Sequence, residues 1–210
     1  MASRRERTVV ALTLLTLVGV GGCSTPPWQQ GASVSPAAST SPSASGTPSV
    51  SAPSPTTVPV ENDLKTGSRK RTLTAGAAEL KVTYWSTLDL GEWVPQVPKP
   101  LNVVASATLD GGAKDQNVYL SAVTVATTAY GADGTPQVLE PVEDTADVKP
   151  GYLITKPSSF QQVFTLPVAA EGTTAVQITV TYELLIQSAP DAKTYLRQAT
   201  SDSFQVPLVP

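Results

Sequence analysis

The chain of 210 residues has no histidine, a single cysteine (Cys23) and a single methionine, the initiating Met1. Each absence removes a class of chemistry. Without histidine there is no Ser-His-Asp or Cys-His nucleophile. Zinc sites built on nitrogen or several sulfurs are excluded, as are the Met/His/Cys sets that hold copper or haem. One cysteine forms no intramolecular disulfide, so a folded region must rely on its apolar core. Neither an S-x-x-K pattern nor a strand-to-helix nucleophile turn occurs, so serine-based catalysis has no signature. No segment keeps a 3.6-residue apolar period, which argues against helices. No cofactor is expected.

What is present begins at the N-terminus. Arg4, Arg5 and Arg7 precede an apolar run over 9–20 that contains Thr13 and Thr16. The run falls short of the roughly 20 residues that a helix needs to cross the hydrocarbon core, so it reads as a leader rather than a permanent span. It ends in Leu17-Val18-Gly19-Val20-Gly21-Gly22-Cys23. Val20-Gly21-Gly22 would satisfy the small-residue rule of an ordinary signal peptidase, but a cysteine follows directly. The stretch resembles a bacterial lipobox, with Gly21 and Gly22 as its small residues and Val20 as its aliphatic one. That resemblance implies a signal peptide over 1–22, cleavage before Cys23, and a diacylglycerol on its thiol that holds the protein at the extracytoplasmic face of the cell membrane. Two acyl chains suffice for stable attachment, whereas one binds only marginally. Loss of Arg4, Arg5, Arg7 and Glu6 with the leader takes 14 positive and 17 negative residues to 11 and 16, a net charge of −5. An acidic chain of this kind lacks the basic face of a nucleic-acid binder.

Residues 23–60 comprise Cys23 and a linker. From 24 to 60 there is no charge, and 30 of 37 positions are Ser, Thr, Pro, Ala or Gly. So little apolar area does not offset an ordering cost of about 1–2 kcal/mol per residue, and the segment is expected to be a disordered tether. As a flexible coil it would reach about 30–35 Å. Trp28 is its one bulky residue. Residues 61–71 restore charge with Lys65, Arg69, Lys70 and Arg71, and read as a solvated edge of the following domain.

Residues 72–210 alternate with a period of two. Leu80, Val82 and Tyr84 share one face, as do Leu101, Val103, Ala105, Ala107 and Leu109. A long strand follows over 116–130, turned by Gly131-Ala132-Asp133-Gly134, and short ones over 137–139 and 152–155. Phe160, Gln162, Phe164 and Leu166 form another face. The clearest is 175–186, where Val176, Ile178, Val180, Tyr182, Leu184 and Ile186 align. Burying these six yields about 10–15 kcal/mol gross, close to the cost of fixing the backbone, so the strand must be central and covered. Tyr195, Leu196, Phe204, Val206 and Leu208 complete the set. Seven or eight short strands predict an antiparallel β-sandwich with an immunoglobulin-like pattern, without the Cys and Trp hallmarks of true immunoglobulin domains.

Two groups are candidate sites. Asp133, Glu140, Glu143, Asp144 and Asp147 lie in one loop-rich stretch. Carboxylates alone can hold Ca²⁺, but the spacing matches no known loop motif, so a solvated acidic loop is the simpler reading. Trp85 and Trp93 flank a loop, with Tyr84 before it and Pro95, Pro98 and Pro100 after it. Either they present aromatic faces to a ligand or they fill the end of the core, as large aromatics generally do. The expectation is a membrane-anchored binding or structural module whose partner is an envelope protein or glycan. The alternative is a carboxylate-dependent enzyme acting on wall glycans, which needs two carboxyl groups about 5–9.5 Å apart in a cleft.

Overall fold

The structure, a computed structural model, describes residues 60–210. Cys23, the Val20-Gly21-Gly22 stretch, the linker before residue 60 and Trp28 lie outside the described residues. Among the described residues there are ten strands: β1 (Ser68–Ala75), β2 (Ala78–Trp85), β3 (Lys99–Leu109), β4 (Val118–Gly131), β5 (Pro136–Val138), β6 (Val142–Thr145), β7 (Tyr152–Leu153), β8 (Phe160–Leu166), β9 (Thr173–Gln187) and β10 (Tyr195–Pro207). One 3-10 turn at Leu90–Glu92 interrupts the β2–β3 loop. Among the described residues no helix is long and apolar enough to cross a membrane.

The strands form the expected antiparallel sandwich. One sheet has the order β1-β2-β3-β8; the other runs β10-β9-β4-β5, with β6 and β7 also paired to β4. The chain changes sheet three times, between β3 and β4, between β7 and β8, and between β8 and β9. With β2, β3 and β8 as strands A, B and E, and β4, β9 and β10 as C, F and G, this is the immunoglobulin-like path. β1 is an addition, joined to β2 by a two-residue turn in which Gly76 takes φ +62°, a conformation that side chains disfavour.

Alternation explains the packing. In β9 every second residue from Val176 to Ile186 is buried, and β4 and β10 flank the strand on both edges. Leu80, Val82 and Tyr84 of β2 and Leu101, Val103, Ala105 and Ala107 of β3 face them from the other sheet. In β8, Phe160, Phe164 and Leu166 are buried, but Gln162 on the same side is exposed. A strap beyond β7 ties the sheets together at one end. Ile154 N–H donates to the Val118 carbonyl of β4 at 3.0 Å, while Ala107 N–H of β3 donates to the Ile154 carbonyl at 2.7 Å.

The start of the folded region differs from the sequence reading. The run over 61–71 is not merely a solvated edge: β1 begins at Ser68, and Leu64 is only 1% exposed. Strand geometry turns Arg69 inward, where it lies 5.5 Å from the Phe204 ring centre, while Lys70 faces solvent. Three adjacent cations look alike in sequence, yet a strand sends alternate ones to opposite faces.

Candidate functional site

Several polar groups between the sheets are paired. Tyr182 of β9 donates its hydroxyl to Tyr84 of β2 at 3.0 Å, and the Tyr84 ring packs on Phe204 with centres 4.9 Å apart. Burial pushes both tyrosine hydroxyls well above their ordinary range, and the nearby Asp202 carboxylate adds to the shift. Beside them Asp202 of β10 accepts Arg69 Nε at 3.4 Å and lies 3.6 Å from Arg71 Nε. Arg69 also binds Asp63. Asp63 in turn accepts from the Gln205 backbone N–H at 2.8 Å. This cluster joins β1 of one sheet to β10 of the other. The two carboxylates it brings together are acceptors for one guanidinium and a backbone amide, not a free acid and base.

A second cation is buried at the start of β3. Lys99 is 1% exposed, and its ammonium donates to the Pro95 carbonyl at 3.1 Å and the Val97 carbonyl at 2.6 Å. Burial lowers its pKa. The side chain fastens the β2–β3 loop to β3. Nothing in the spacing of Lys99 announced this role.

The five acidic candidates are not gathered into one site. Asp133 accepts from the backbone N–H of Thr135 at 3.0 Å and from its hydroxyl at 2.7 Å, bonds that hold its carboxyl below the usual range. Glu143 and Asp144 are adjacent in β6 and so point to opposite sides. Glu143 accepts from the Thr145 hydroxyl at 2.8 Å, and Asp144 from Tyr152 Oη at 3.3 Å. Among the described residues no group of three or more Asp, Glu, His or Cys is placed to share a metal ion. The acidic stretch runs along an edge of the larger sheet, through β5, β6 and the turns around them.

The tryptophans divide. Trp93 is fully buried, and its Nε1 donates to Ser86 Oγ at 3.3 Å. It fills the end of the core and offers no face to a ligand, which corrects its place in the ligand pair. Trp85, the last residue of β2, stays half-buried on the outer side of the four-stranded sheet. Register sets it in a row across all four strands: Ser68, Trp85, Asn102, Val163. The next row is Lys70, Thr83, Val104, Gln161. Val163 is 50% exposed, whereas Asn102, between it and Trp85, is only 4% exposed. The Asn102 Nδ2 group is buried without a hydrogen-bond partner. A separate hollow of about 500 Å³ is lined by Leu64, Lys65, Gly67, Ser86, Thr87, Leu88, Asp89 and Leu90, and no residue of the Trp85 row lines it.

Sequence reasoning singled out Trp85 but missed Asn102. Asn102 interrupts the outward series of β3 as an ordinary polar residue, and only its cross-strand neighbours make it unusual. No protein-family model matches this chain and no curated protein matches it, so the functional reading rests on this geometry and on the residues before Cys23.

Proposed function

We propose that the protein is a lipid-anchored module on the extracytoplasmic face of the cell membrane, tethered through diacylglyceryl Cys23, with the β-sandwich as its binding or structural part. One observation carries the reading: the only cysteine directly follows Val20-Gly21-Gly22 at the end of a short apolar run headed by three arginines. The run over 9–20 is too short to hold the protein in a bilayer by itself, so attachment falls to the thiol. The linker separates the sandwich from the anchor by a stretch without charge.

Support for binding or scaffolding comes from the sandwich itself. Its interior carboxylate pair is committed to Arg69, and its acidic edge is dispersed over turns and opposite strand faces. Metabolic labelling with a fatty-acid analogue tests the anchor. The wild-type chain takes up label and partitions with membranes, whereas Cys23→Ser does neither; equal labelling of both would end the proposal.

A further inference from the structure

We infer that the outer face of the four-stranded sheet, centred on Trp85 and Asn102, is a binding site for an N-acetylated glycan. The inference deepens the proposed function, taking from it only that the domain faces the cell envelope. Three observations combine. First, Asn102 is 4% exposed and its Nδ2 donor has no partner. A buried amide donor costs stability unless something accepts from it, and native folds rarely leave one so. Asn102 lies on the solvent side of the sheet, flanked across the strands by Trp85 and Val163. The missing acceptor can therefore arrive only from that side, with a movement of the side chains that now cover the amide nitrogen.

Second, Trp85 is half-buried beside that donor. A tryptophan at a partly wet position offers a flat apolar surface with a polar edge. The C–H face of a pyranose ring fits such a surface, while the ring's hydroxyl or acetamido oxygens accept from the amide. Third, the chemistry around the pair is neutral and polar. The rows hold Ser68, Thr83 and Gln161, and Thr165 lies nearby opposite Pro100; Lys70 at the β1 end is their one cation. In a chain of net charge −3, a patch of hydroxyls and amides around an aromatic, with a single cation at its edge, suits a neutral saccharide better than a polyanion. An acetamido carbonyl is the stronger acceptor that the unpaired Asn102 donor selects.

The test uses the full chain and soluble oligomers of β-linked N-acetylglucosamine, with binding followed by calorimetry and by chemical-shift changes at Trp85. The wild type binds, and Trp85→Ala weakens binding at least about tenfold, as for other aromatic anchors. Val163→Glu, at an exposed position on the same row, weakens it comparably without disturbing the fold. Asn102→Leu is the discriminating variant: binding falls while the melting temperature holds or rises, because an unpaired donor has been removed. Absence of wild-type binding overturns the inference, and so does binding unchanged in all three variants. A fall in stability with Asn102→Leu and no loss of binding would assign the amide a structural role instead. None of these outcomes depends on fatty-acid labelling at Cys23, so the anchor and the glycan site fail separately.

Discussion

The two sides of the four-stranded sheet treat polar groups in opposite ways. On the inner side each buried polar side chain that the sheet contributes has a partner: Tyr84 has Tyr182, Lys99 has two loop carbonyls, and Arg69 has Asp63 and Asp202. On the outer side Asn102 is just as buried and has none. Inner pairs align two sheets that apolar contact alone would let slide, since burial is non-directional. The outer amide aligns nothing, and its cost persists where the molecule meets its surroundings. Local agreement between burial and pairing marks structure; its failure at one surface position marks a site.

The comparison breaks most severely if a charge enters the inner face. Val180 is fully buried and stands opposite Asp202 in the β9–β10 register. Val180→Asp would bury a second carboxylate beside the first, and we expect a loss of several kcal/mol or failure to fold. Thr181→Asp, one residue on and opposite Ser201 on the outer face, should cost much less. Thermal melts of the two variants measure the difference, and similar losses would mean that both faces of β9 are equally covered.

A smaller effect comes from the charged clamp. Arg69→Ala leaves Asp202, 5% exposed at its side chain, with only the longer contact to Arg71. It should destabilise the domain by about 2–3 kcal/mol in urea unfolding, much of it from the carboxylate left unpaired. Asp202→Asn in the same background should recover part of that loss.

Alkaline titration sharpens the inner pair further. Unfolded tyrosines ionise near pH 10, whereas Tyr84 and Tyr182 are held protonated well above that. Below about pH 9 the pair adds no pH dependence. Above about pH 10 the unfolded chain releases protons that the folded one retains, so stability falls as pH rises. Tyr182→Phe should make this decline shallower in melts recorded from pH 8 to about 11. Lys99, whose pKa is lowered, acts in the opposite sense just below its ordinary 10.5.

The smallest expected change is a gain. Thr127 is 1% exposed opposite Ile178, and its Oγ1 is the other buried side-chain atom without a partner among the described residues. Because it faces the core, no ligand can reach it. Thr127→Val keeps the shape and removes the unpaired hydroxyl, so the melting free energy should rise by about 1 kcal/mol. Unlike Asn102→Leu, it should leave glycan binding unchanged.

Much of the fold was legible because alternation is a local property. The side-chain direction of Val176, Ile178, Val180, Tyr182, Leu184 and Ile186 follows from strand geometry whatever lies opposite, and so did the inner rows of β2 and β3. Trp85 was legible as a candidate because it closes a strand before a Pro-rich loop. Its separation from Trp93 was not, since that depended on which tryptophan the 3-10 turn at Leu90–Glu92 carried into the core. The sequence by itself determined the strand class, the faces of the longest strands and the lone cysteine behind a short apolar run. Only the tertiary structure decided that Arg69 turns in while Lys70 turns out onto solvent, that Lys99 closes a loop, and that Asn102 sits sealed between Trp85 and Val163 without an acceptor. The physical reason is that face and period are set by a residue's own backbone, whereas burial, pairing and charge partners are set by strands distant in sequence.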